Sequence, residues 1–451
     1  MTQSNFPRPG APLGRRGFLG LAAGGAATGA AALSGCALSV AGGATGRNTV
    51  TIMATEGDFT DEMIEQAADE LGIRINVVLE DVTLLTAMLA SGQPPDLVRG
   101  LGALQTPYLA ARDVAEELDP YFARSSILNV DDLDPVNDLW RYDGRRQGRG
   151  PIYGMAKDYS QDSMFWFNTA LFDEAGVGHP STTEPVTYDE LLDLGERVTQ
   201  RRDGRTTVYG LSASGLGLFS NLMVLTASAG GSLFSEDLGR VDFSTPEARR
   251  ALTWYLDFAR AGVGPSLIDP NPDGWDGPTY NAGRMAMAGA GYWFLGNIAA
   301  TPEIAEASRF APAPQFDTGR RVSPCQAGTG FWIPKKAPHK ELAWRLFEWY
   351  FGEGPAEARA SGGWGIPTLE SLRPLMPTAE PFQRQAFEVQ QAELEYFSVL
   401  SFTPYVRPEA FDAVLNQLLP AAMRGERAVD DLVRELNERM NHQMDLGKEL
   451  V

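Results

Sequence analysis

The spacing of apolar residues in this chain switches repeatedly between a strand-like and a helix-like period. Residues 49–54 (TVTIMA) form a short apolar, β-branched run that predicts a buried strand. Thr60 then precedes Asp61 and Glu62, and Met63, Ile64, Ala67 and Leu71 follow at helical spacing up to Gly72, which predicts a capped amphipathic helix. Residues 73–79 predict a second strand. A strand, helix and strand joined by short turns is the unit of a parallel sheet covered by helices. Farther on, Thr187 and Glu190 form a capping box ahead of Leu191, Leu192 and Val198. Thr245-Pro246-Glu247 opens a helix that runs to Gly262. A long helix starts near Pro338, buries Leu342, Leu346, Trp349 and Tyr350, and stops at Gly352, while Val429, Leu432, Val433, Leu436, Met440 and Met444 mark a terminal helix. The predicted fold class is α/β throughout.

The first residues follow another logic. Arg15 and Arg16 lead into an apolar stretch that ends at Leu33-Ser34-Gly35-Cys36, the pattern of a twin-arginine export signal closed by a lipoprotein cleavage site. Residues 1–35 are expected to be removed, leaving a lipid-carrying Cys36 as the first residue. A transmembrane anchor is the weaker reading, because the run is short and is diluted by Gly24, Gly25, Thr28 and Gly29. Residues 36–48 are small and make a tether that reaches roughly 20 Å as a random coil. The expected location is the outer face of the cytoplasmic membrane.

The formal charge is −20, and losing a leader with three arginines and no acid takes it to −23. Such a surface repels nucleic acid and anionic membranes, so neither is an expected partner. About 415 mature residues suggest two domains. Beyond Cys36 only Cys325 remains, so no internal disulfide can form, and a buried site suits it better than reactivity. His179, His339 and His442 lack zinc spacing, and no haem, iron–sulfur, Walker or dinucleotide motif is present, so no metal or cofactor is expected.

Candidate binding residues lie where predicted strands give way to loops rich in glycine, acids and aromatics: Glu56 with Gly57 and Asp58; Arg99; Asp158, Tyr159 and Asp162; Tyr292 and Trp293 after Gly291; Gly328; and Trp364 within Gly362-Gly363-Trp364-Gly365. Open α/β sheets bind ligands at the carboxyl ends of their strands. The residue types suit a sugar, whose C–H faces pack on indole rings and whose hydroxyls match carboxylates and amides. Each residue taken singly also fits an ordinary core or turn role. Glu56 with Asp158 or Asp162 could supply the two carboxylates of a glycosidase. No Gly-x-Ser-x-Gly elbow is present and no histidine stands near a serine nucleophile, so no enzymatic activity is expected.

The segments PPDLV (94–98), IYGMAKDYSQDSMFWFNTALFDEAGV (152–177), TYDELLDLGERVTQRRDGRTTVYGL (187–211), YNAGRMAMAGAGYWF (280–294) and GTGFWIPKKAPHKELAWRLFEWYF (328–351) resemble, in order and spacing, the maltose-binding-like solute-binding proteins of bacterial ABC sugar importers. The resemblance implies two α/β lobes joined by crossing strands near residues 157–163, 309–313 and 364–367, with a hinge and a ligand cleft between the lobes. Residues 49–157 with 310–363 would form one lobe, and 158–309 with 364–451 the other. It further implies a monomeric, membrane-tethered subunit that passes a sugar or short oligosaccharide to permease subunits, with Trp293 and Trp364 stacking on the ligand and the Asp158 loop giving polar contacts. The segment Lys157-Asp158-Tyr159 is one residue longer than is usual in the family. An exported carbohydrate-active enzyme, or a receptor for another polar solute such as a polyol or an amine, is the alternative.

Overall fold

The computed structural model describes residues 48–213 and 217–451. Arg15, Arg16, Cys36 and the tether up to residue 47 lie outside the described residues. Strand β1 (Thr49–Ala54) pairs in parallel with β2 (Arg74–Leu79) on one side and β3 (Leu97–Leu101) on the other, and helix α1 (Asp61–Leu71) makes the first crossover. The capping signals act as read: the Thr60 side chain accepts from the Met63 amide, and Gly72 ends the helix in the left-handed region at φ 63°. Two antiparallel strands, Thr329–Trp332 and then Met155–Ala156, complete a five-stranded sheet.

The pleat sends alternate residues to opposite faces of this sheet. Val50, Ile52, Leu97 and Phe331 pack with Leu346, Phe347 and Tyr350 of the helix Lys340–Gly352. Met53, Val98 and Trp332 pack on the other face with Trp140. Both faces are thus covered, as a largely parallel sheet requires.

A second and larger apolar core surrounds a three-stranded antiparallel sheet, in which Phe165–Asn168 lies between Met287–Ala288 and Ser308–Ala311. Helices Leu218–Ser228, Pro246–Ala261, Pro408–Met423 and Val429–Lys448 contribute to it. The chain runs from Met155–Ala156 in the first sheet to Phe165–Asn168 in the second by way of Asp158–Tyr159, which pairs antiparallel with Ile366–Pro367. Asp158–Tyr159 lies on the link expected near residues 157–163, and Ile366–Pro367, near the expected 364–367, pairs with it, although Leu369 and Leu372 just beyond still pack against the first core. The expected crossing at 309–313 lies elsewhere, because Phe310 and Ala311 are paired with Trp166 and Phe165 and still belong to the second sheet. Phe316 and Cys325 pack in the larger core as well, so the chain rejoins the first sheet only at Thr329. The β3 strand also runs on through Arg99 and Gly100, which the sequence placed in a loop.

Candidate functional site

A cleft of about 840 Å³ opens where β1 and β3 end, bounded by the 157–162 link, the start of α1, residues 325–329 and four tryptophans, Trp275, Trp293, Trp349 and Trp364, from separate segments. Eight of the nine candidate binding residues line it: Glu56, Arg99, Asp158, Tyr159, Asp162, Trp293, Gly328 and Trp364. Tyr292 does not. Its side chain is fully buried against Phe310, with ring centroids 6.3 Å apart, while the next residue, Trp293, reaches the cleft. Ser160 fixes that turn, its hydroxyl accepting from the Trp293 amide at 2.9 Å.

The aromatic wall is built on glycines. Trp364 is 45% exposed, and its indole lies over Gly296, where a Cβ would come within 2.8 Å of the ring. Trp275 is 46% exposed and stacks on Trp293 at 6.4 Å between centroids and 26° between planes. Large half-exposed rings gathered on a concave surface are what a ligand site shows and a core does not. Trp275 is missing from the sequence-based candidates, although Gly274-Trp275-Asp276-Gly277 repeats the glycine-flanked tryptophan seen around Trp364.

The polar floor is an ion network. Asp58 is buried and pairs with Lys157 at 2.9 Å and with the Arg99 Nε at 3.1 Å, while the Arg99 Nη1 donates to Glu80 at 2.9 Å. Burial opposes ionisation of Asp58, but Lys157, the Thr55 hydroxyl and Arg99 together hold its carboxyl below the usual range. Burial works against the charge of Lys157 too, yet the neighbouring Tyr350, Asp158 and Asp58 keep its ammonium above the ordinary value. Arg99 is therefore engaged by two carboxylates, and Asp58 and Lys157 are as central to the floor as Arg99. Charges alone do not reveal such partners, because Asp58 and Lys157 lie 99 positions apart in sequence.

Asp158 and Asp162 behave differently from Asp58. Burial raises the Asp158 carboxyl in spite of Lys157 and Arg359, and its Oδ2 has no hydrogen-bond partner. Gly365, just before the strand that pairs with Asp158–Tyr159, approaches it closely, so that a Cβ there would fall 2.8 Å from that of Asp158. Asp162 is pushed up to about 7 by burial, against the hydrogen bonds that it accepts from the Gln326 amide at 2.9 Å and from the Trp293 indole. A carboxyl poised in this way can accept or donate towards a ligand hydroxyl. Tyr159 meets the cleft but donates its hydroxyl to Asp134 at 3.0 Å. Gly328 holds φ 54°, and its carbonyl accepts from the indole of the buried Trp140 at 3.0 Å, which ties the glycine loop to the core of the first sheet. Cys325 is buried, and its sulfur accepts from the Gly328 amide at 3.1 Å. Among the described residues no group of three or more His, Cys, Asp or Glu side chains is placed to hold a metal, and no helix is long and apolar enough to cross a membrane.

Comparison with known proteins agrees with this architecture. A curated relative, the diacetylchitobiose-binding protein of Streptomyces coelicolor, is 27% identical over 168 residues, 35% of this chain; the match spans 34% of the relative's own length. Among solved structures, an ABC substrate-binding protein of Listeria monocytogenes in complex with cycloalternan superposes with a TM-score of 0.71 at 21% identity, over 88% of this chain and 99% of that one. A solute-binding protein of Thermotoga lettingae bound to α-D-tagatose gives 0.70 at 22% identity, over 88% and 100%. One of Agrobacterium vitis with bound D-mannitol gives 0.67 at 19%, over 88% and 98%. These likenesses establish the two-lobed fold. The family model for bacterial extracellular solute-binding proteins matches residues 54–357, and with two thirds of the chain inside that match the protein belongs to this family.

Proposed function

We propose that this protein is the substrate-capturing subunit of an ABC importer, and that it takes a carbohydrate in the cleft and delivers it to permease subunits. The observation that carries this reading is the set of half-exposed indoles, Trp275 and Trp364 with Trp293, set among carboxylates in one cleft. The named ligands of the relatives, a chitobiose derivative, a cycloalternan and tagatose, are in keeping with it. A polyol is the second reading, favoured by the mannitol-bound neighbour and by the same polar floor. The cleft is assigned binding and no catalytic step. The lobes are proposed as residues 49–157 with 329–363 and 158–325 with most of 364–451, the stretch 310–325 going to the second because Phe310, Ala311, Phe316 and Cys325 pack there, and the protein is proposed to act as a monomer. In cells that make the protein, its deletion should abolish uptake of one labelled sugar, and the wild-type chain should restore it. Unchanged uptake of every sugar and polyol tested would refute the transport role.

Residues 1–35 are proposed as a twin-arginine lipoprotein leader and Cys36 as the anchor site. Two or three acyl chains hold a protein durably where one does not. Cys36→Ala should leave an uncut precursor that yields no lipid-anchored form, and Lys at positions 15 and 16 should stop export. A normally processed and lipid-anchored Cys36→Ala protein would contradict the anchor.

A further inference from the structure

Behind the tryptophan pair lies a second cavity of about 380 Å³, itself large enough for a small ligand. Among the described residues it shares Asp162, Trp275 and Trp293 with the main cleft and no other side chain. Its wall has the same mixed character as the cleft, with Tyr255 and Phe294 beside Asn271 and Asp276. Those polar groups are already oriented: the Asn271 amide donates to Asp276 Oδ1 at 3.1 Å, and the Ser212 hydroxyl donates to Oδ2 at 2.5 Å. Trp275 stands between the two spaces. Its ring folds over Gly277, where a Cβ would lie 2.2 Å from Cη2, and this leaves the ring half exposed.

We propose that the ligand is an oligosaccharide whose chain passes the Trp275–Trp293 pair, with one unit in the main cleft and the next in the side cavity. This rests on the carbohydrate reading of the cleft. A single ring in the main cleft would leave an aromatic and polar cavity of ligand size filled only by water. A chain crossing the pair uses both spaces and puts the shared Asp162 carboxyl beside the linkage.

The test is affinity against chain length, measured by calorimetric titration of the mature protein with gluco-, manno- and N-acetylglucosamine oligosaccharides of one to four units. In the series that binds, affinity should rise by about ten-fold or more when the second or third unit is added, the scale of one good stacking contact. Trp275→Ala should remove most of that rise, lowering the affinity for chains of two or more units by a clearly larger factor than the single-unit affinity. Gly277→Ala, which displaces the ring without deleting it, should act in the same direction, and thermal melts of both variants check that they fold. Affinity that is flat with length, or an equal loss at every length in Trp275→Ala, would overturn the proposal while leaving the carbohydrate reading intact. Failure of every member to bind would remove that reading and this proposal together.

Discussion

Trp364 shows how a single ring comes to face a ligand instead of a core. Gly296 beneath it and Gly362 beside it carry no side chain, so the indole lies flat on backbone and keeps nearly half its surface open. Trp364→Ala should weaken ligand binding by about 1–3 kcal/mol, the range for a well-placed aromatic anchor. Its cost in a denaturant melt should stay below the roughly 3–5 kcal/mol of a core tryptophan. A large loss of stability with unchanged affinity would return the ring to a structural role. Asp162 offers a second residue-scale test. Its folded carboxyl titrates near 7, so between pH 4 and 7 the folded chain keeps a proton that the unfolded chain releases. Stability attributable to this group therefore falls as pH rises through that window, by at most about 1.4 kcal/mol per pH unit. Asp162→Asn should gain on the wild type from pH 4 to 7 and hold a constant difference above that; parallel pH–stability curves would contradict the assignment. At this scale sequence resolves residue type better than direction. Tyr292 and Trp293 are adjacent and equally aromatic, and only the fold decides that one packs on Phe310 while the other meets the cleft.

Elements were the most legible level, because caps and periodicity act locally. The Thr187 hydroxyl accepts from the Glu190 amide at 3.0 Å, and the Glu190 carboxylate returns the bond to the Thr187 amide at 2.7 Å. Thr187→Ala should cost about 1 kcal/mol in a denaturant melt, the usual value of an N-cap, and leave ligand affinity unchanged. A loss within error would mean that Glu190 alone holds the helix start. Within the segment 152–177, Asn168, Leu171, Phe172 and Gly176 have a similar physical content: the Asn168 side chain caps the helix Thr169–Ala175, Leu171 and Phe172 are its buried face, and Gly176 ends it at φ 65°. Two-residue strands left no such trace. Asp158–Tyr159 and Ile366–Pro367 are too short for any period, and the passage after Cys325 was placed too early because pairing of Phe310 with Trp166 is a long-range choice. Trp349 was read as buried; its ring is, but its indole N–H reaches Glu70 at 2.6 Å on the cleft side of α1.

For the whole molecule, two cores flank a cleft whose walls come from segments distant in the chain. Strand pairs at 158–159 and 366–367 bridge the two sheets, and such short crossings are where closure around a ligand can be absorbed. The general site was legible in advance because strand ends carry loops in any α/β sheet. The ion network of Asp58, Lys157 and Arg99 was not, since it needs three segments brought together. The central claim is that this cleft binds carbohydrate. Calorimetric titration of the mature chain against mono- and oligosaccharides, polyols, amines and peptides tests it most directly. The account predicts saturable one-to-one binding to at least one sugar, with a negative heat-capacity change from burying apolar surface against the indoles. Absence of binding to every sugar and polyol, with tight binding of a peptide or a metal ion, would contradict it.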